Sequence, residues 1–545
     1  MPSERIYDYV IVGAGSAGCV LANRLSEDQG ASVLLLEAGG SDRHPFIQIP
    51  LGLGKILEHR MFDWGYDYEP DPGVGGRAIE ATRGKVIGGS SSINVMAYVR
   101  GNRGDYDRWA DNGASGWRYA DVLPYFKRCE TFEGGGDTWR GDEGPLGVQF
   151  AGTRDPLFDG WLEAGRQVGI EHTPDYNGKS QFGFGRAQYT IKGGYRSSAS
   201  NAFLHPARGR VNLDVEKGAY ATRILIEGTT ATGIEYVQGG EVKTVAAARE
   251  VILSGGAFNS PQLLMLSGIG PAGHLKEVGI RTIVDLPVGK NMQDHLSLFI
   301  QWTRPRNPSA FRELMRADRI SMAMVQAYLT GTGPATYPPG GLQGFVKIAG
   351  ETKVPNLQFL FRGLPGDAHM WFPGFKAMYR DGYGIRPTLL HPESRGELLL
   401  RSADPAMHPR FIGNFLSAPR DLEVLREGFK LAREIGSQKG LEPFRGEEFS
   451  PGPGKVKTDA EIEDFIRRTV VTAHHPACTC PMGTGAEAVV DPDLRVKGVD
   501  RLRVIDASVM PDLISGNLNA AVLMIAEKGA DMVKGLAPLP AVNDA

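Results

Sequence analysis

Residues 7–38 read YDYVIVGAGSAGCVLANRLSEDQGASVLLLEA, and this stretch decides the fold. The apolar run at residues 9–12 is typical of a buried parallel strand. It ends in the pattern Gly13-x-Gly15-x-x-Gly18, which opens a helix with apolar residues on one face. A second apolar run follows the helix. The order strand, glycine turn, helix and strand predicts a βαβ unit that binds a dinucleotide.

Each small residue of this unit has a physical role. Gly13 permits the tight turn, Gly15 lets the backbone approach a pyrophosphate, and Gly18 lets helix and strand pack closely. The helix N-terminus offers free N–H groups and a positive dipole end to the phosphates. Glu37 ends the second strand, where an acid accepts hydrogen bonds from an adenosine ribose. The pattern does not separate NAD from FAD, and the alternative is a glycine-rich turn in another α/β protein.

Composition bounds the class of protein. The chain has 545 residues, 41% of them hydrophobic and 23% charged, which is enough for two or three domains with a large core. A net charge of −3 gives no reason to expect nucleic acid as a partner. Four cysteines are too few for a disulfide framework. With no signal peptide or transmembrane stretch before or after the first strand, we expect a cytoplasmic protein, with peripheral contact at the inner membrane left open.

The remaining pattern predicts an interrupted first domain. The fold class of the whole chain is α/β (α+β overall). A Rossmann-like dinucleotide-binding domain carries an inserted substrate domain, which is built on a mixed or antiparallel sheet with helices. The first domain is assigned residues 1–160, 196–303 and 466–545, and the second 161–195 and 304–465. Predicted helices cover 106–109, 119–129, 311–329 and 519–534, and one more is capped by 259–261. Predicted strands cover 211–215, 221–226, 231–237, 242–247, 250–253, 357–361, 384–390 and 396–400, with a loop at 331–344 and a helical or extended segment at 93–98.

Two segments near the C-terminal end carry candidate chemistry. Residues 472–483 read TAHHPACTCPMG, and residues 504–520 read VIDASVMPDLISGNLNA. Adjacent histidines and nearby cysteines could bind a metal, but the cysteines are Cys-x-Cys and lack a second ligand pair. A buried histidine bonded to backbone is a second interpretation. The third is a general base beside a redox cofactor.

Four segments together resemble the glucose–methanol–choline (GMC) family of FAD-dependent alcohol oxidoreductases. Beside the N-terminal glycine pattern these are RGKVIGGSSSIN at 83–94, GAFNSPQLLMLSGIG at 256–270, and the ending HPACTCPMG with SGNLNAAVLMIAEK at 475–483 and 515–528. The resemblance covers essentially the whole chain and is strongest to a bacterial branch that is choline-dehydrogenase-like and alcohol-dehydrogenase-like. It implies oxidation of an alcohol to an aldehyde or ketone, with hydride transfer to flavin N5.

The resemblance also implies two catalytic positions. His475, which precedes a proline, matches the family's catalytic base, and Asn517 matches the second position, which is His or Asn. The chemistry agrees, because hydride leaves a carbinol carbon readily only when the hydroxyl proton is being removed. A well-placed general base contributes about 10²–10⁴-fold to such a step.

Cofactor contacts follow from the same resemblance. They are Gly13, Gly15, Ser16, Ala17, Gly18, Glu37, Ala38, Gly88, Gly89, Ser90, Asn94, Val95, Met96, Ala97, Ala221, His474, Asp506, Ala507 and Asn519. Some members attach FAD through a histidine in the second segment. Because Ile93 stands there, we expect non-covalent FAD. His474 replaces a usual aromatic residue, which leaves open whether it shares the base role.

Substrate and partners are less defined. The choline-type branch carries a glutamate where this chain has Gly341, so choline is disfavoured. The expected partners are a small-molecule alcohol and an electron acceptor, which is oxygen, a quinone or a soluble carrier. Oligomeric state is not predicted. Two other functions share this fold: a non-redox FAD lyase, and a photodecarboxylase, which would need a cysteine where none occurs between Cys129 and Cys478.

Overall fold

The first sheet is built on the predicted βαβ unit. The computed structural model describes residues 6–351, 353–452 and 454–542. Within them the first sheet contains β1 (Ile6–Val12), β2 (Val33–Glu37), β9 (Leu213–Lys217), β10 (Ala219–Glu227), β11 (Thr230–Gln238), β12 (Glu241–Leu253) and β22 (Leu502–Val504). β1 pairs in parallel with β2 and β12, and β22 lies parallel to the end of β12. Strands from three distant parts of the chain therefore share one sheet.

The second sheet is antiparallel and forms the base of a separate layer. Its strands are β5 (Gly183–Arg186), β13 (Leu296–Ser297), β14 (Ile300–Thr303), β15 (Gly340–Val346), β16 (Leu357–Arg362), β17 (Gly382–Leu389), β20 (Glu448–Ser450) and β21 (Val471–Thr472). Small additional sheets pair β3 (Glu130–Phe132), β4 (Leu146–Phe150) and β6 (Gln188–Tyr189), then β7 (Ile191–Lys192) with β8 (Tyr195–Arg196), and β18 (Glu397–Leu399) with β19 (Arg410–Ile412). The fold class predicted from the sequence is confirmed.

Helices cover both sheets. They are α1 (Ser16–Leu25), α2 (Pro45–Gln48), α3 (Leu53–Glu58), α4 (Arg103–Asp111), α5 (Tyr119–Cys129), α6 (Pro156–Gln167), α7 (His205–Ala207), α8 (Gly256–Leu266), α9 (Ala272–Glu277), α10 (Ala310–Leu314), α11 (Ala317–Thr330), α12 (Pro419–Ser437), α13 (Asp459–Thr469) and α14 (Asn519–Lys534). In the described part of the chain, none of these is both long and apolar enough to cross a membrane.

The two ends of the chain pack against each other. Most residues of α1 and α14 are buried, because α1 lies against β1 and β2 while α14 packs against α1 and α5. Arg24 of α1 and Arg128 of α5 both contact the buried carboxylate of Glu527, and Arg128 also contacts Asp531. Breaking such a buried network leaves an uncompensated charge, which costs about 3–5 kcal/mol. The network therefore ties the N-terminal βαβ unit to the last helix.

Several local predictions are wrong. Residues 340–344 belong to β15 rather than to a loop, and residues 93–98 are irregular. The helix predicted at 311–329 is broken into α10 and α11. The helix predicted to be capped by 259–261 starts at Gly256, so Pro261 lies inside it.

A hydrogen bond from a distant segment explains how α8 tolerates that proline. Pro261 has no N–H to donate, and Ala257, four residues earlier, receives its hydrogen bond from Thr479 Oγ1 at 2.7 Å instead. Ser260 Oγ accepts a hydrogen bond from the Gly255 amide at 3.0 Å. A contact from a distant segment therefore replaces the missing helical bond, which local sequence does not report.

Strand pairing also refines the domain assignment. Predicted limits gave 196–303 and 466–545 to the first domain, but β13, β14 and β21 pair within the second sheet. The limit at residue 160 falls inside α6. The outermost limits, 1 and 545, lie outside the described residues. The assignment of the remaining segments to two domains stays a prediction.

Candidate active site

An elongated cavity begins at the glycine turn after β1 and ends against the second sheet. The predicted residues that line it are Gly13, Gly15, Ser16, Ala17, Glu37, Ala38, Gly89, Ser90, Asn94, Val95, Ala97, Ala221, His474, His475, Asp506, Ala507, Asn517 and Asn519. Residues from the first, second, third and last segments of the predicted site thus meet at one cavity.

Three predicted cofactor contacts do not line this cavity. Gly18 faces the turn itself, where an added Cβ would lie 1.9 Å from the Gly13 carbonyl oxygen. Gly88 has a φ of +86°, and a Cβ there would lie 2.2 Å from Ser92 Oγ. Met96 is fully buried in a small cluster with Tyr189 and other apolar residues. These three shape the backbone around the cavity rather than its surface.

The end of the cavity at the glycine turn suits an ADP group. A Cβ on Gly89 would lie 2.7 Å from the Gly15 Cα, so two backbone segments converge there without side chains. Ser16 Oγ donates to Asn519 Oδ1 at 2.7 Å, which joins the first residues of α1 and α14. Both helices present their N-terminal N–H groups and positive dipole ends to this region, as phosphates require.

Two carboxylates fix the loops around this end. Glu37 accepts hydrogen bonds from the Ala14 and Gly39 amides at 2.9 and 2.7 Å, and burial raises its pKa to about 7. Asp506 accepts hydrogen bonds from the Gly256 amide at 2.8 Å and from Ser260 Oγ at 2.6 Å. Burial raises the pKa of Asp506, against the lowering effect of these donors. Both acids are therefore committed to backbone and hydroxyl donors.

The opposite end of the cavity brings His475 and Asn517 together. Asn517 Nδ2 lies 3.1 Å from His475 Nε2, and His475 Nδ1 lies 3.0 Å from His295 Nδ1. Burial lowers the pKa of His475 well below its usual range, and His295 and Arg83 lower it further. Burial also lowers the pKa of His295 to about 3. Both imidazoles are therefore neutral near pH 7.

Hydrogen bonds from the second sheet orient Asn517. Gln358 Nε2 on β16 donates to Asn517 Oδ1 at 3.3 Å and to Gln343 Oε1 on β15 at 3.0 Å. With its oxygen accepting from Gln358, the Asn517 amide turns its nitrogen toward His475. The side chain is thus held as a donor toward His475 at this end of the cavity.

The loop that carries the histidines is held from behind. Asp294 accepts hydrogen bonds from the His475 amide and from Tyr68 Oη, both at 2.8 Å. Burial raises the pKa of Asp294 to about 6, while Arg83 opposes that shift. Arg83 donates to the carbonyl oxygen of His474. The loop backbone is therefore fixed by a buried acid and a half-buried cation.

His474 has an unusual conformation and an unmet hydrogen bond. Its φ of +59° lies in the left-handed region, which non-glycine residues adopt rarely and often at functional sites. Burial lowers its pKa to about 3, and its buried Nδ1 has no hydrogen-bond partner among the described residues. His474 lines the cavity, but this nitrogen atom is itself shielded from it.

Some site residues were not predicted from the sequence. They are His295, Asp294, Gln358, Gln343, Arg83 and Arg386. The pair Asp294-His295 ends the stretch VGKNMQDH at 288–295, whose polar, chemistry-bearing residues were the available signal. Gln358 and Arg386 lie in strand patterns and carried no local signal. In the described residues no group of three His, Cys, Asp or Glu side chains is arranged to bind a metal, and Cys478 and Cys480 are buried thiols.

Fold and site together define a dinucleotide-dependent enzyme in which a Rossmann-like sheet and an antiparallel sheet enclose one cavity. Comparison gives the family. Residues 7–297 and 392–526 match the N- and C-terminal sequence profiles of the GMC oxidoreductases, so the chain belongs to this family. It is a flavoprotein family whose cofactor is FAD.

Relatives of known name agree with this membership. The chain is 46% identical over 539 residues to an oxygen-dependent choline dehydrogenase of Rhizobium etli, covering 98% of this chain and 97% of the relative. It is 44% identical over 541 residues to one of Brucella ovis, with the same coverage. Among solved structures, pyridoxine 4-oxidase from Mesorbium loti aligns with a TM-score of 0.86 at 32% identity over 97% of this chain and all of that one. A variant of Aspergillus oryzae formate oxidase aligns with a TM-score of 0.89 at 28% identity, covering 97% and 98% of the two chains.

Proposed function

We propose that this oxidoreductase oxidises an alcohol to an aldehyde or ketone, with His475 as the general base. The observation that carries the proposal is a neutral imidazole whose Nε2 lies 3.1 Å from the Asn517 amide, at the end of the cofactor cavity. FAD, when bound, supplies the hydride acceptor for the carbinol carbon. The names of the similar choline dehydrogenases support an alcohol substrate.

The hydrogen bonds around His475 favour one tautomer. If Nδ1 carries the proton, it donates to the neutral His295 Nδ1 at 3.0 Å, and Nε2 is left with its lone pair toward the cavity. That lone pair can take the hydroxyl proton of an alcohol. A base with the opposite tautomer would present an N–H to the substrate and could not do so. His295 therefore acts through His475, as a positioning residue.

Asn517 complements the base. Its Nδ2 group, oriented by Gln358, can donate to the substrate oxygen while His475 removes the proton from that oxygen. A donor at this place stabilises the negative charge that develops on the oxygen as the proton leaves. We also propose that His474, which lines the cavity, contacts the cofactor rather than sharing the base role.

The cofactor is proposed to be non-covalent. Ile93 lines the cavity where some family members carry the histidine that attaches the flavin, and an alkyl side chain cannot form that bond. Acid precipitation of the purified protein should release all yellow colour into the supernatant. Colour retained in the protein pellet would show covalent attachment and would contradict the proposal.

We propose that the electron acceptor is oxygen, a quinone or a soluble carrier. The names of the similar choline dehydrogenases favour oxygen. We propose a cytoplasmic location, with peripheral contact at the inner membrane when the acceptor is a quinone. Readmitting air to the substrate-reduced protein distinguishes the acceptors, because fast return of the flavin absorbance marks an oxidase.

Anaerobic stopped-flow mixing with a panel of alcohols tests the central proposal. The panel should include aliphatic, aromatic, polyol, cationic and anionic alcohols, with loss of oxidised flavin absorbance as the signal. At least one alcohol should bleach the flavin, and His475→Gln should slow that step about 10²–10⁴-fold. His59→Gln is the matched control, since His59 is solvent-exposed outside the cavity. Unchanged bleaching in His475→Gln would refute the base role. Failure of every alcohol would favour a non-redox lyase.

A further inference from the structure

The reacting end of the cavity has cationic side chains without acidic partners. Arg386 on β17 lines the cavity, and Arg362 ends β16 beside it. Neither arginine forms an ion pair with any residue in the described part of the chain, and the side chain of Arg362 forms no hydrogen bond there. Buried or half-buried arginines are normally paired, because an isolated charge away from water is costly.

Strand geometry places Arg362 on the cavity face of the second sheet. Alternate residues of a strand share one face, so Arg362 shares the face of Gln358, which bonds Asn517, and of Leu360, which lines the cavity. Leu360 pairs directly with Arg386 on the neighbouring strand. The two guanidinium groups also share one aromatic neighbour, at 4.7 Å (Arg386) and 5.9 Å (Arg362) from the ring centroid of Phe299.

The carboxylates of the cavity do not balance these cations. Glu37 and Asp506 belong to the end at the glycine turn and are bonded to backbone amides and hydroxyls. Asp294 attracts Arg386 electrostatically but lies behind the histidine loop, where it accepts hydrogen bonds from Tyr68 and His475. Burial lowers the pKa of Arg386 to about 10 and also lowers that of Arg362, as expected for cations without close partners.

Packing also leaves no room for a carboxylate at residue 341, where this chain has glycine and the choline-type branch carries a glutamate. Gly341 lies on β15, and a Cβ built there would be 2.1 Å from the ring of Phe158 on α6. The position therefore faces the packed helix rather than the cavity. No acid of the second sheet is placed to receive a cationic substrate at this point.

From this juxtaposition we propose that the alcohol substrate carries a carboxylate, which Arg386 and Arg362 bind at the end of the cavity opposite the ADP end. The inference rests on the proposed alcohol oxidation and names its substrate class. Leu360 and Arg362 lie two and four residues beyond Gln358, which at ~3.3 Å per residue is about 7 and 13 Å from the Asn517 end. A hydroxy acid with its carbinol and carboxylate at about that separation would span the site. Arginine suits this role because its planar fork binds carboxylates in a bidentate manner.

A charge-matched series of substrates tests the proposal on the holoenzyme. The series is para-(hydroxymethyl)benzoate, its methyl ester, its primary amide and the para-trimethylammonium analogue, which share a reacting carbinol and differ in charge. Anaerobic flavin reduction at several concentrations gives Kd and the limiting rate for each. The carboxylate should bind about 10- to 100-fold more tightly than the ester, and the cation most weakly.

Variants separate substrate recognition from structural support. Arg362→Met keeps the aliphatic length, removes the charge and breaks no protein hydrogen bond in the described residues. It should lower the carboxylate-to-ester preference about tenfold. Arg386→Met should do the same, although Arg386 also donates to Ser297 Oγ at 2.7 Å and to the Thr472 carbonyl at 3.0 Å. If the loss of these two hydrogen bonds disturbed only the loop that carries His474 and His475, flavin reduction by all four compounds would slow equally. The ratios of their Kd values would then stay as in the wild type. Arg281→Met, on the surface, is the control and should change nothing.

The outcomes distinguish the two proposals. No flavin reduction by any of the four compounds or by the alcohol panel would remove the alcohol-oxidation proposal itself. Reduction in which the ester or the cation binds as tightly as the carboxylate would refute only the substrate class. Equal ratios in wild type, Arg362→Met and Arg386→Met would likewise show that these arginines do not recognise the substrate.

Discussion

At the scale of single residues, the proposed chemistry depends on two nitrogen atoms of His475. One faces Asn517 and the cavity, and the other faces His295. In the proposed mechanism His295 fixes the tautomer of His475, and burial keeps the imidazole neutral. These properties can be tested separately.

The pH dependence follows from the direction of the His475 pKa. Protonation would remove the lone pair that accepts the hydroxyl proton, so the rate should fall as pH decreases through this pKa. Because burial and the neighbouring His295 and Arg83 lower the pKa, the fall should begin on the acidic side of neutrality. The limiting rate of anaerobic flavin reduction is therefore expected to be constant from about pH 7 to 9. A rate that keeps rising through about pH 8 would contradict a lowered pKa.

His295 offers a pair of variants that tests the tautomer argument. His295→Asn can place an acceptor oxygen near the present Nδ1, so it should retain most of the limiting rate. His295→Leu removes the acceptor and should slow flavin reduction by about tenfold or more, because His475 can then adopt the other tautomer. Both variants should keep the flavin spectrum of the wild type. Equal rates in the two variants would mean that the contact does not hold the base.

Not every site residue was predictable from local sequence. His475 and Asn517 stand in short polar motifs, and the resemblance to a known family assigned them. His295 lies 180 residues from His475 in the chain, and Gln358 lies 159 from Asn517. Their roles arise only when β13, β16 and the histidine loop meet. Arg362 and Arg386 have ordinary strand neighbours, and only the missing acidic partners in three dimensions reveal them.

At the scale of secondary-structure elements, the glycine turn between β1 and α1 controls how closely the helix approaches the sheet. Sequence predicted this unit well because strand, turn and helix are neighbours in the chain. The prediction failed at 340–344, where glycines and a leucine read as loop but pair between β16 and β5. There, strands distant in sequence supply the hydrogen bonds.

Gly18→Ala tests the close packing of this turn. The added methyl would lie 1.9 Å from the Gly13 carbonyl oxygen, so α1 must move away from β1. Overpacking of this kind costs about 1–3 kcal/mol, and we expect a lower melting temperature together with a lower flavin-to-protein absorbance ratio. Gly40→Ala is the control, since nothing lies within 4 Å of its Cβ position. An unchanged flavin content in Gly18→Ala would show that the turn tolerates a wider approach.

At the scale of the whole molecule, the cofactor cavity lies where the two sheets and the last helix meet. Its lining includes Gly13, Arg386 and Asn519, which come from three distant parts of the chain. A ligand that binds there contacts the folded arrangement and has no equivalent site on the unfolded chain. Cofactor binding and global stability should therefore be coupled.

Removal of FAD should lower the melting temperature, and added FAD should restore it in a concentration-dependent way. A ligand at a hundred times its Kd stabilises the folded state by about 2.7 kcal/mol. Differential scanning fluorimetry of the apoprotein measures this, with NAD at the same concentrations as the control. Equal stabilisation by NAD and FAD would show that the cavity does not discriminate between dinucleotides.

The contact between Ser16 and Asn519 has a consequence for biosynthesis. These residues are 503 positions apart, yet both belong to the mouth of the ADP end of the cavity. A ribosome therefore releases the first glycine turn long before the helix that closes the site exists. We expect the nascent chain to bind flavin only after Asn519 has been synthesised, and a chain that stalls or is cut before Asn519 to be a colourless product.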